Sequence, residues 1–319
     1  MKLQLLYSLT IFLVAFVATT HAAISPEVYW KIKLPNTQIP KVIKHLLPQA
    51  ADDVVDTKKK VYYGLHQHGA WIFHAATEEE IREITNESLL STTPANSDLQ
   101  HNNFLYKPYF FEKELEKGKV INFPSLKNKN EAPFWPRQFV ESIPFSSHKI
   151  PQILNHFSID SNSKDAKTIE ETVKVCEEPA MKGEKRKCAT SLESMVDFGI
   201  FMLGTNNVQV IATEVQGEYQ MLQKYTIKEV ELIGDGVNMI CHKLNYAYAV
   251  HFCHGGGGTK TYMVSMIGAD GTMVKAVSIC HKDTSLWNPK GLPFVVLKVK
   301  PGTPSICHFL QDDQIVFLP

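Results

Sequence analysis

Hydrophobic and polar positions change rhythm along this chain. Between about residues 147 and 204 the apolar side chains recur every three or four positions, the period of a helix with one buried face. Ile150, Ile153, Leu154 and Phe157 fall on one face of a predicted helix over 147–157. Ile169, Val173 and Cys176 fall on one face of another over 165–178, which turns that cysteine toward the interior. Thr190 and Glu193 have the spacing of a capping box, Leu192, Met195, Val196 and Gly199 follow at helical period, and Gly204 stands where a C-terminal cap belongs. Beyond Gly204 short β-branched or aromatic runs alternate with turn residues. They predict strands over 208–213, 225–233, 246–253, 262–267, 273–280, 294–299 and 315–318. Asp270-Gly271, between two of these runs, marks a hairpin. Helices feeding a mainly antiparallel β C-terminal half predict an α+β fold.

The chain before residue 110 has a different texture. Pro35, Pro40 and Pro48 interrupt too often for a long helix, although Pro40 can open a short one. From residue 51 to about 109 the sequence is polar, charge-clustered and irregular, which predicts a variable linker. Met1 to Ala22 carries one charge at Lys2, an apolar run from Leu5 to Val17, and small residues at Thr20 and Ala22, the pattern of a secretory signal peptide. The predicted organisation is thus a signal over 1–22, an N-terminal segment and linker over 23–109, and a folded domain over 110–319. Asn86-Glu87-Ser88 is a glycan acceptor in that linker. No later stretch is apolar enough over enough residues to span a bilayer. With 33 basic and 33 acidic residues, loss of Lys2 with the signal leaves 32 − 33, or −1. No single-sign field exists to hold nucleic acid or a membrane surface.

Export changes what cysteine means, because thiols outside the cytosol oxidise. Six cysteines allow three disulfides. Cys176 and Cys188 flank a Lys182-Gly183 turn and are expected to pair with each other. The remaining Cys241, Cys253, Cys280 and Cys307 then pair among themselves, in an order the sequence leaves open. Each of these four is followed directly by a histidine: His242, His254, His281 and His308, with ten, twenty-five and twenty-five residues between successive pairs. In a strand successive side chains point to opposite faces, so the dipeptides predict a layer of sulfurs backed by a layer of imidazoles. On one straight strand His242 and His254 would stand about 40 Å apart, so only turns or hairpins can gather the four rings. Gathered imidazoles suit copper or zinc, and a tetragonal set points to copper(II). The competing reading is purely structural, with crosslinks and hydrogen-bonded histidines. His251 falls on the opposite face from His254 by parity, as a bystander or supporting group. Gly255 to Gly258 reads as a flexible turn and Asp312-Asp313 as a solvated one. Gly-x-Ser-x-Gly, His-Glu-x-x-His and phosphate-loop patterns are absent.

The fourfold Cys-His series, with its spacings, resembles the signature of the BURP domain family of plants. The resemblance extends to Ser25-Pro-Glu-Val-Tyr-Trp30, Leu34-Pro-Asn-Thr37, Phe110-Phe111-Glu112, Ile143-Pro-Phe-Ser-Ser147 and Cys307-His308-Phe309. Within the family the chain looks most like the dehydration-responsive and seed-protein branches. That resemblance implies one disulfide-linked BURP domain after a variable N-terminal region. It further implies a secreted protein of the apoplast, cell wall or seed storage compartment, serving development or stress response, with wall polysaccharide or wall enzymes as partners. It also implies a second activity found in the family, a copper-dependent peptide cyclase that joins a Tyr or Trp side chain to another residue of its own N-terminal region. In such members the histidines of the Cys-His pairs are associated with copper, here His242, His254, His281 and His308. Gln67-His-Gly-Ala-Trp71 and Asn103-Phe-Leu-Tyr106 supply the candidate core aromatics, Trp71 and Tyr106.

Overall fold

The computed structural model describes residues 24–47, 61, 108–124, 130–217, 222–302 and 304–319. The signal segment 1–22, Trp71, Asn86 and Tyr106 lie outside these residues. Helix α1 (Pro26–Lys33) begins where the Ser25 hydroxyl accepts the Val28 N–H at 3.3 Å. Pro26 sits in the first turn, where its missing donor costs nothing. Helix α2 (Lys41–Leu46) is the short helix expected after Pro40. Strands β1 (Phe110–Phe111) and β2 (Val120–Pro124) follow, then helices α3 (Arg137–Val140), α4 (Ile150–Phe157) and α5 (Lys164–Glu177). Strand β3 (Lys185–Ala189) leads into α6 (Leu192–Leu203). The cap of α6 is Ser191, exchanging hydrogen bonds with Ser194, one place beyond the expected Thr190 and Glu193 pair. Glu193 instead turns inward and accepts the Arg137 N–H at 3.3 Å. Gly204 ends the helix with a φ of 68°.

The C-terminal half is β4 (Gln209–Ala212), β5 (Glu214–Gln216), β6 (Leu222–Leu244), β7 (Val250–Gly268), β8 (Met273–His281), helix α7 (Leu292–Leu297), β9 (Ile306–Phe309) and β10 (Ile315–Leu318). Among the described residues these strands and β1 to β3 form one antiparallel sheet in the order β1-β9-β8-β7-β6-β10-β4, with β2 added on β6, β3 on β7 and β5 on β8. The fold is α+β and mainly antiparallel. Its spine is the β6–β7 hairpin, whose ladder is interrupted by three register shifts. The β7–β8 hairpin turns at Asp270-Gly271, where Gly271 takes a φ of 87°.

Four local expectations are corrected. Tyr246 to Ala249 form the β6–β7 connection rather than the start of a strand. The run 294–299 is not a strand: Gly291 and Pro293 launch α7 there, and a short apolar run has the same pattern in a buried helix as in a strand. The glycine run is part of β7, not a turn. A Cβ on Gly255 would lie 2.0 Å from the Asn238 carbonyl oxygen and one on Gly256 2.9 Å from that of Gly183, so glycine here admits close backbones. Asp313 is buried rather than solvated.

The core has several centres. Trp30, Leu34 and Ile43 of the N-terminal arm pack with Met195 and Val196 of α6 and with Met239, Cys241 and Phe317 of the sheet. The arm is pinned at its rim, where Arg137 meets the Asp197 carboxylate at 2.6 Å and lies over the Tyr29 ring. Helices α4 and α5 cover Trp135, Tyr246, Tyr248 and Phe252. Phe110, Tyr225, Val264 and Phe309 fill a third centre around the Cys280–Cys307 bond.

Candidate functional site

Register builds the site. Cys241 lies directly opposite Cys253 across β6 and β7, and Cys280 directly opposite Cys307 across β8 and β9. Both pairs are bonded, with Cα atoms 4.0 Å apart, the close approach of directly opposed antiparallel positions. Cys176 is bonded to Cys188. Each following residue points to the other side of the sheet, so the four imidazoles leave the sulfur face together.

All four rings are buried and they meet in two pairs. His242 and His254 stack with centroids 5.3 Å apart, and their Nε2 atoms are 3.2 Å from each other. His281 and His308 stack at 5.7 Å, and His308 lies 6.2 Å from His242, which joins the pairs. Trp287 meets His281 edge-on at 4.8 Å, and Tyr109 meets His308 at 6.1 Å.

Outer partners set the tautomers. The Gln314 side-chain oxygen lies 3.0 Å from His242 Nδ1, and a Glu184 carboxylate oxygen lies 2.9 Å from His254 Nδ1. Both are acceptors, so both Nδ1 atoms carry the proton with the amide oriented as it stands. In neutral rings this leaves two Nε2 lone pairs facing each other at 3.2 Å, an arrangement that calls for a cation or a proton between them. Burial opposes a proton on His242: it drives that pKa well below its ordinary value, and His254 and His308 nearby add to the effect. Burial lowers His281 in the same way, with His308 and His254 contributing, and holds His308 down at about 4. His281 Nε2 is buried with no hydrogen-bond partner among the described residues. The donor set, buried imidazoles with two outer partners and one orphaned nitrogen, fits a borderline transition-metal cation. Among the described residues no three His, Cys, Asp or Glu side chains already surround a single metal position. The rings are assembled as two pairs rather than as one closed cage.

A cleft of about 190 Å³ opens beside the cluster. Its floor is the glycine run of β7, and Glu184, His254, His281, Leu286 and Trp287 are among its walls. His251 lies apart from this, stacked on Phe134 at 5.3 Å, with neither ring nitrogen hydrogen-bonded among the described residues. Glu184 and Gln314 carry no sequence signal that would have singled them out. Glu184 hides in the expected Cys176–Cys188 turn, and Gln314 in the turn before β10.

A family profile described as the BURP domain matches residues 108–319, about two thirds of the sequence. The chain belongs to the BURP domain family. BURP domain-containing protein 3 of Oryza sativa subsp. japonica is 44% identical over 248 residues, covering 76% of this chain and 53% of that protein. BURP domain protein RD22 of Arabidopsis thaliana is 41% identical over 214 residues, covering 66% of this chain and 55% of that protein. This chain thus spans about half the length of those two relatives. BURP domain-containing protein 5 of Oryza sativa subsp. japonica is 35% identical over 314 residues, covering 93% and 88%. All four Cys-His pairs fall inside the BURP match, whereas the N-terminal arm that packs into the same core lies before it.

Proposed function

We propose that this BURP domain is an exported copper-binding protein of the plant cell wall or seed, serving development or stress response, with His242, His254, His281 and His308 as the donors. The observation that carries the reading is the pair of Nε2 atoms 3.2 Å apart, both of whose rings have Nδ1 against an acceptor. Three disulfides support export, since such bonds persist in oxidising compartments. Wall polysaccharide or wall enzymes are the proposed partners. Bound copper supplies one-electron redox chemistry. The protein's own residues hold the rings in fixed tautomers, keep them largely buried, and leave His254 and His281 on the wall of the cleft.

That cleft favours a second reading, a copper-dependent peptide cyclase acting on Trp71 or Tyr106 of its own N-terminal region. Such a crosslink removes two hydrogens from the peptide, with dioxygen as the acceptor. Titration of chelator-treated protein with copper tests the first reading: uptake is expected in the wild type and loss on His242→Ala or His281→Ala. Absence of uptake by the wild type refutes it. Incubation with copper and air, followed by mass spectrometry of peptides containing Trp71 and Tyr106, tests the second. An unchanged mass removes it.

A further inference from the structure

We propose that Glu184, which lies outside the Cys-His series, is a positioning residue that fixes the tautomer and orientation of His254. This rests on the copper reading above and assigns that site a component delivered by a separate loop. Both carboxylate oxygens of Glu184 are engaged. One meets His254 Nδ1 at 2.9 Å, and the other accepts the Met181 N–H at 3.3 Å. The Glu184 N–H closes the same turn on the Met181 carbonyl at 3.0 Å. The side chain is only 10% exposed. A carboxylate removed from water this far is tolerated only when its partners are fixed. Here the loop is fixed on three sides. The Cys176–Cys188 bond closes it, Lys185 is in register with Gly255 on β7, and the Gly183 carbonyl oxygen packs so near Gly256 that a side chain there would collide.

The chemistry follows from the acceptor. A carboxylate on Nδ1 keeps the proton on that nitrogen and presents the Nε2 lone pair to the cluster. Gln314 orients His242 from another loop in the same way, through a neutral amide oxygen. The third disulfide, remote from the Cys-His pairs in sequence, thereby gains a role in the site.

The test uses the full chain as wild type, Glu184→Ala, Glu184→Gln and Glu171→Ala, the last an exposed carboxylate on α5. Nitrogen-15 NMR of the metal-free imidazoles is expected to show His254 protonated at Nδ1 in the wild type and Glu184→Gln, and to lose that signature in Glu184→Ala. Copper(II) affinity, measured by competition with a chelator, should fall about 10- to 100-fold in Glu184→Ala. It should fall less in Glu184→Gln, whose amide oxygen still accepts, and stay unchanged in Glu171→Ala. The copper EPR hyperfine pattern should change in Glu184→Ala alone. Wild-type His254 protonated at Nε2 overturns the proposal, as does unchanged affinity in Glu184→Ala or an equal loss in the Gln and Ala variants. If Glu184→Ala does not fold, the wild-type and Glu184→Gln tautomers decide, and Nε2 protonation in either overturns it. A wild type that takes up no copper sinks the copper reading, while the metal-free tautomer still judges Glu184.

Discussion

Replacing Trp30 by alanine should cost about as much as a mutation in the middle of the sheet, although Trp30 lies far before the matched BURP span. Its side chain is fully buried, its ring centroid is 6.2 Å from that of Phe317 on β10, and its indole N–H donates to the Thr37 carbonyl at 2.9 Å. Removing a buried Trp typically costs about 3–5 kcal/mol. For a domain of this size each kcal/mol moves the melting temperature by about 2–4 °C, so Trp30→Ala should lower it by about 6–20 °C. Ile32 on the same helix is 60% exposed, and Ile32→Ala should stay within about 0.5 kcal/mol of wild type. Thermal and urea unfolding of the two variants make the comparison. The arm as a whole buries Trp30, Leu34, Ile39, Ile43 and Leu46, each worth about 1.5–3 kcal/mol. Their sum of about 8–15 kcal/mol matches the whole stability of an ordinary domain, about 5–15 kcal/mol. A chain starting at residue 108 should therefore not fold alone. If Trp30→Ala melts with Ile32→Ala, or residues 108–319 melt cooperatively at the wild-type temperature, the arm is dispensable and the reasoning fails.

Other consequences can be checked on the same protein. In the metal-free state His308 titrates near 4 instead of near 6.5, because burial disfavours its charged form. The unfolded chain thus binds the proton first, so stability is full above about pH 6.5 and declines as pH falls toward 4, by about 3 kcal/mol from this residue alone. Urea midpoints that stay level from pH 7 to pH 4.5 would contradict this. Gly255→Ala should destabilise by at least about 1–3 kcal/mol, since its Cβ meets a backbone oxygen that cannot swing away. Gly257→Ala, with no atom within 4 Å of the new Cβ, should melt with the wild type. Converting Cys280 and Cys307 together to serine opens a loop of 27-residue separation and should cost about 3–4 kcal/mol, read from chemical denaturation under non-reducing conditions.

Much of the scaffold was legible because its signals are local. The stripes of α4 and α5, Gly204, the Asp270-Gly271 turn and the Cys176–Cys188 pairing each depend on residues close in sequence. The alternation of sulfur and imidazole is equally local, since it needs only a strand. What the sequence hid is set by approach between distant segments. The glycines of β7 read as a turn because their reason, the Asn238 and Gly183 carbonyls, lies elsewhere in the chain. Residues 294–299 read as a strand because so short an apolar run has no period to separate the two structures. Glu184 and Gln314 belong to no motif. Their importance is a matter of which nitrogen they reach, and only the assembled loops decide that.

The placement of each sulfur one residue before its imidazole also governs the melted chain. A bond between Cys241 and Cys253 keeps His242 and His254 neighbours after every strand has come apart, and the Cys280–Cys307 bond does the same for His281 and His308. Under the copper reading, a denatured chain that keeps these bonds still carries two candidate bidentate chelators. A cation held by both states raises the melting point far less than its affinity for the native form would indicate. If the copper reading holds, metal capture can precede folding once these two particular bonds have formed.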